Sequence, residues 1–194
     1  MKKAFLLASI LFISVISTAC INNFAVQELN NKAQDFMNKG DYISAIERLK
    51  SSIDLDGSVF ETQYNLAVAY TKAEDYANAV ITYNKAEELN SDFADLYYSR
   101  AVCEENLAKD IISGELQVDD EGNITKAVKE IDEEDTVTKD SKLSESVKKI
   151  IIDNLNFAIK DYNTYLEKAK IQDQTENIDK KIEELQNIIN SYDK

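Results

Sequence analysis

The chain has 194 residues, 44% of them hydrophobic and 30% charged, with a formal net charge of −14, 0 His, 0 Pro and only Gly40, Gly57, Gly114 and Gly122 as glycines. So few chain breakers in a chain of this length argue for one domain of long helices and against a turn-rich β-sandwich. The lack of histidine removes the commonest general base and most zinc sites, and the acidic balance repels nucleic acid and anionic headgroups.

The chain opens with a basic Met1-Lys2-Lys3, an apolar run from Ala4 to Ile16, and then Ser17-Thr18-Ala19-Cys20. The run falls short of the roughly 20 residues that span a bilayer, and its flanks are those of a secretory signal. A plain signal peptide with a chance cysteine and a retained transmembrane helix are the alternatives. Small residues ahead of a cysteine resemble the lipobox of bacterial lipoproteins, although Ser17 stands where that family usually has leucine. The resemblance implies a signal peptide over residues 1–19, removed by cleavage before Cys20. It also implies a diacylglycerol thioether and an acyl chain on Cys20, with residues 20–25 as the lipidated tether. It places the protein outside the cytoplasm, on the periplasmic face or the cell surface, with the outer membrane favoured over the inner. Two or three acyl chains hold a protein on a membrane stably, where one is marginal. An extended Ile21–Ala25 reaches at most about 18 Å. Cys103, the second cysteine, reads as a small buried hydrophobe, since Glu104 and Glu105 disfavour a reactive thiolate.

Residues 26–59 align without a gap on residues 60–93, with identities at Asn31/Asn65, Ala33/Ala67, Asp41/Asp75, Tyr42/Tyr76, Ala45/Ala79 and Leu55/Leu89. Each unit carries two amphipathic helices, with apolar residues three or four apart: Leu29, Ala33 and Phe36, then Ile46, Leu49 and Ile53. The alanines fall where two antiparallel helices must approach closely. Lys39-Gly40-Asp41-Tyr42 and Ala73-Glu74-Asp75-Tyr76 make the turns, each with an acid suited to a helix start. Ser58 with Glu61 is expected to form a capping box at the second unit. The 34-residue period and these alanines resemble the tetratricopeptide (TPR) family. The resemblance implies an all-α helical repeat of stacked antiparallel helix pairs. Gly57 and Ser91 replace the family's proline, and Leu29 and Gln63 its tryptophan.

A third unit starts in phase at Ala101, but its second helix is delayed to Phe157–Tyr162. Residues 94–170 are therefore expected to be a third repeat split by an acidic insertion at about 113–142. Ser141–Lys170 reads as one helix of about 40 Å, and the leading helix overruns through Leu107–Ile112. Between them, Glu115–Val118 and Ile124–Thr125 suggest a β-hairpin, and Glu130–Asp135 a mobile acidic tip far from the membrane. An EF-hand is excluded, because placing Gly122 in its glycine position puts Gln117 and Val128 where carboxylates are required. Residues 171–194 read as a capping helix with Asp173 and Glu176 at its start and apolar residues at Ile178, Ile182, Leu185, Ile189 and Tyr192. A homodimeric coiled-coil seam is the second reading of that stripe.

No phosphate loop, paired Cys/His set or nucleophile–histidine group exists, so no enzyme, cofactor, metal or small-molecule substrate is expected. The acidic surface reads as solvated, with recruitment of a basic partner as the alternative. In TPR domains the leading helices line a concave groove for a peptide or partner helix. The resemblance places Asn30, Asn31, Gln34, Asn38, Tyr64, Asn65, Val68, Lys72, Asp95, Tyr98, Ser99 and Val102 on that face. Asparagine and glutamine pair with a ligand backbone, and Tyr64 and Tyr98 are the expected anchors. A carboxylate clamp is excluded, because Asn30, Asp95 and Ser99 stand where that clamp needs cations. The expected function is that of a membrane-anchored adaptor or scaffold with a protein partner. The alternatives are a structural or surface lipoprotein without a groove ligand and, last, an enzyme.

Overall fold

A computed structural model describes residues 22–119, 121–126, 143–169 and 175–192. The signal segment with Cys20, the acidic run Glu130–Asp135 and the cap residue Asp173 lie outside the described residues. Seven helices are described: α1 (22–38), α2 (Tyr42–Leu55), α3 (Phe60–Lys72), α4 (Tyr76–Leu89), α5 (Ala94–Ser113), α6 (Glu145–Ala169) and α7 (Thr175–Tyr192). Strands β1 (Leu116–Val118) and β2 (Ile124–Lys126) lie between α5 and α6. The fold is all-α, built of successive helix pairs in the TPR manner. Two compact units divide it. One runs through Asp75 and adds Ile81–Asn90; the other joins Tyr76–Val80 to the chain from Ser91 onward.

In the first unit the helices close on small residues. Ala33, Ala45 and Ala67 are fully buried, beside Leu49, Leu66 and Tyr70. A methyl group at these places lets the helix axes approach while larger neighbours fill the flanks. Asp41 caps α2, its Oδ1 accepting the Ser44 backbone N–H at 3.1 Å. The Ser44 hydroxyl and, after it, that backbone bond hold the Asp41 carboxyl below the ordinary carboxylate value. The α3 cap differs from the expected capping box. Val59 is the cap residue and makes no side-chain cap bond. Ser58 instead donates from its N–H and its hydroxyl to Asp56 Oδ1, at 2.9 and 2.6 Å. A carboxylate two residues back closes a tighter ring than the helix start offers, so it captures the hydroxyl. The chain also turns helical early. α1 starts at residue 22, so the stretch read as extended, Ile21–Ala25, is helical from its second residue on. Ala25, Gln27, Glu28 and Leu29 are good helix formers with no breaker ahead of them.

The second unit is built on α5 against α6, with α7 against α6. Ala101, Cys103, Leu107, Ala108 and Ile111 from α5 meet Ile151, Leu155, Ala158 and Tyr162 from α6 in its core. α5 runs to Ser113 and ends on Gly114, whose φ of +78° is the left-handed conformation that closes a helix C-terminus. β1 and β2 pair antiparallel, with Leu116 opposite Lys126 and Val118 opposite Ile124. Their loop is held by Asp119, which accepts the Glu121 and Asn123 backbone N–H groups at 2.9 and 2.8 Å. α6 is 25 residues long, about 37 Å. α7 buries Ile178, Leu185 and Ile189 within the unit. Ile182 and Tyr192, the other two positions of that stripe, are half-buried.

Candidate binding face

The twelve residues expected on the leading-helix face divide between the two units. In the first unit, Asn30, Gln34, Asn65 and Val68 surround one cavity of about 120 Å³, together with Ala33, Met37 and Leu49. α1 contributes Asn30, Ala33, Gln34 and Met37 to its lining, α3 Asn65 and Val68, and α2 Leu49. Asn30 Nδ2 donates to Thr62 Oγ1 at 2.8 Å. The other end of that amide, Oδ1, is buried without a partner. Whichever way the amide is turned, one of its two ends stays unpaired beside the cavity, and a buried unpaired amide atom costs about 1–3 kcal/mol. Gln34 donates to Asn38 Oδ1 at 3.0 Å, fixing the two across one helical turn. Asn31 and Lys72 are exposed and do not line the cavity.

Tyr64 is half-buried. Its ring stacks on Phe60 at 5.9 Å and meets Tyr83 edge-on at 5.8 Å. The aromatic on α3 is thus held by neighbours on α3 and α4 rather than standing free.

In the second unit, Asp95 and Tyr98 are exposed and Ser99 and Val102 half-buried. The Tyr98 ring lies 5.7 Å from Tyr162 and 5.3 Å from Tyr165. Burial, then the charge of Asp95, raises the Tyr165 phenol above its ordinary value. Behind these rings sits a buried acid. Glu105 Oε2 accepts from Tyr162 at 2.8 Å; Lys181 reaches both Glu105 oxygens at 2.9 Å, and Lys109 also pairs with it. Burial pushes Glu105 up, but the hydrogen bonds from Lys109, Lys181 and Tyr162 outweigh it and hold the carboxyl below its ordinary value. Burial, followed by the Glu105 charge, drives Tyr162 far up. A second buried pair, Arg100 with Asp161, lies in the same α5–α6 interface.

Sequence reasoning missed the buried acids Glu104, Glu105 and Asp161 and also the apolar part of the cavity, Met37 and Leu49. Glu104-Glu105 reads as a solvated pair, and Asp161 as an exposed position in an amphipathic stretch. Only contacts between residues 57 and 61 apart reveal otherwise. Among the described residues, no group of three or more Cys, Asp or Glu is placed to hold a metal ion, and no helix is long and apolar enough to cross a membrane.

No protein-family model matches the sequence, and no curated protein matches it. Solved structures do match. The first TPR domain of human RPAP3 superposes with a TM-score of 0.55 at 18% identity, covering 86% of this chain and 95% of that one. The first TPR of Spaghetti (RPAP3), solved bound to the HSP90 peptide SRMEEVD, gives 0.54 at 16% identity, covering 84% and 92%. The TPR2AB domain of yeast Sti1, in a complex with HSP90, gives 0.51 at 12% identity; it covers 90% of this chain and 52% of that one. At these identities the likeness is one of fold, and the fold it identifies is that of a TPR domain.

Proposed function

We propose that the chain is a membrane-anchored TPR lipoprotein that acts outside the cytoplasm as a protein-interaction adaptor or scaffold, without catalysis of its own. Its first unit takes a peptide or partner helix on the α1–α3 face. The observation that carries this reading is the cavity walled by Asn30, Gln34, Asn65 and Val68. Its side-chain amides suit a ligand backbone, and a small apolar side chain would fill the space over Leu49 and Val68. Two of the structural neighbours were solved with HSP90 or an HSP90 peptide, which supports a peptide-binding use of the fold. The ligand chemistry differs here. SRMEEVD is acidic, whereas the face of this first unit is neutral amide with Lys72 as its one cation.

The small-residue run ending at Cys20 supports the anchor. Radiolabelled fatty acid should enter the wild-type chain and not Cys20→Ser, which should remain unprocessed or soluble; normal cleavage and membrane retention of that variant would refute the anchor. For the face, a photo-crosslinking residue at Gln34 or Asn65 of the membrane-bound chain should give a discrete adduct that Glu47, exposed on α2, does not give. Equal adducts from all three positions, or none, would favour a structural lipoprotein with no groove ligand.

A further inference from the structure

Away from the amide-lined face, α1 presents Lys32, Asp35, Phe36 and Lys39, which with Arg48 of α2 enclose an open cleft of about 340 Å³. Lys32 is two positions from Asn30, about 200° around the helix, so this cleft lies on the far side of α1 from the cavity described above. Three cations converge here in a chain whose formal net charge is −14. Arg48 is half-buried and makes no ion pair or hydrogen bond with any described residue. A guanidinium with no partner in the protein keeps all its N–H donors for a ligand, and its planar fork suits an oxyanion. Lys39 Nζ lies 5.9 Å from the centroid of the Phe36 ring, which floors the cleft with an apolar face.

Donor number decides which anion. Lys32, Lys39 and Arg48 outnumber Asp35 and the Glu28 carboxylate beside Lys32 by one unit charge, and their N–H donors exceed what the two oxygens of a carboxylate accept, whereas a phosphoryl group offers three oxygens. A phosphomonoester carries about −1.5 to −2 at neutral pH. Glu28 competes for Lys32 at 3.0 Å, but both side chains are half-exposed, and pairs of that kind contribute at most about 1 kcal/mol. The volume is at the lower end of small-ligand sites, room for a phosphoryl group and a short organic stem. We infer that this cleft binds a small phosphomonoester, its phosphoryl oxygens taken by Arg48 and Lys39 with Lys32 beside them, and its organic part laid along Phe36. The ligand is either a free phosphorylated compound or a lipid headgroup ending in a phosphomonoester. The inference stands apart from the amide-lined face and does not depend on it.

The test uses the full-length chain in neutral detergent micelles, followed by NMR of the Arg48 Nε–Hε group. Inorganic phosphate and glycerol 3-phosphate form one arm, and micelles doped with phosphatidic acid or with phosphatidylglycerol the other. Saturable shifts with phosphate or glycerol phosphate support a free ligand. Saturable shifts with phosphatidic acid alone support a headgroup. In either case Arg48→Gln and Lys39→Gln should each weaken binding about tenfold or more while helical circular dichroism is unchanged. The inference is overturned by no saturable shift up to about 10 mM of any probe. Responses that survive in both variants also overturn it, as do equal responses to acetate, to an acidic peptide or to the phosphodiester phosphatidylglycerol.

Discussion

Gly40 and Glu74 hold the same backbone conformation at the same point of two helix-to-helix turns, with φ of +75° and +58°. In both turns the N–H three residues past the helix end reaches back to the third carbonyl from it: Asp41 to Phe36 and Asp75 to Tyr70, each at 3.0 Å. Glycine adopts this left-handed state freely, whereas a side chain there costs about 1–2 kcal/mol. Glu74→Gly should therefore raise the urea midpoint, and Gly40→Ala should lower it. The alanine Cβ would meet nothing within 4 Å, so that loss would be conformational rather than steric. A Glu74→Gly variant less stable than wild type would contradict this account of the turn.

Arg100 grips Asp161 in a fork, Nε to Oδ2 at 2.6 Å and the guanidinium Nη2 to Oδ1 at 3.0 Å, with both side chains buried. Removing one partner strands a charge. Asp161→Asn should cost about 3–5 kcal/mol by chemical denaturation. Replacing both together, as Arg100→Met with Asp161→Leu, should recover most of that loss. If the double variant is as unstable as the single one, the cost comes from packing and not from an orphaned guanidinium.

Glu105 gives the second unit an acid sensitivity with a definite sign. Its carboxyl is held below the ordinary value of 4.5 in the folded chain. Its contribution is thus fully present above pH 4.5 and is lost as pH falls through the lower folded value. At neutral pH, Glu105→Gln should lower stability by about 1–3 kcal/mol, since Lys109 and Lys181 are partly exposed and can return to water. The gap between variant and wild type should close below pH 4.5, because protonated glutamic acid resembles glutamine. A gap that is constant across that range would mean the carboxylate charge is immaterial.

Ala67 has no exposed surface, between larger neighbours on α2 and α3. Ala67→Leu should overpack the first unit and cost about 1–3 kcal/mol, read as a fall in melting temperature. An unchanged melting temperature would mean the helices are not held at a methyl-wide separation.

Much of this fold was legible because its determinants are local and repeated. Ala33, Ala67 and Ala101 recur at one spacing, and all three are buried. Gly40 and Asp41 announce a turn and a cap by residue type alone. The overrun of α5, the strand pair around Gly122 and the stripe on α7 follow from periodicity over short windows. What stayed hidden depends on contact between distant segments. Nothing near Glu105 marks it as buried, since its partners Tyr162 and Lys181 come from two other helices. Ser58 had two acceptors in reach, and which one it bonds depends on backbone angles that residue type does not fix. Of the candidate face, Asn30, Gln34, Asn65 and Val68 were accessible through the repeat, while the unpaired end of the Asn30 amide required Thr62 to be seen in place.

The interruption between α5 and α6 changes how the protein reaches its native state. Three residues separate α1 from α2 and α3 from α4, whereas 31 residues, Gly114 to Ser144, separate α5 from α6. Closing the longer loop costs about 2 kcal/mol more chain entropy, and it must be met before Arg100 finds Asp161 or Tyr162 finds Glu105. Contacts of short range form fast and those of long range form slowly. The first unit therefore assembles as neighbours zip together. The second waits for an encounter across the insertion and then locks through buried charges, so α5–α6 docking is expected to be the slow step of folding, to be read as slower refolding of the second unit than of the first.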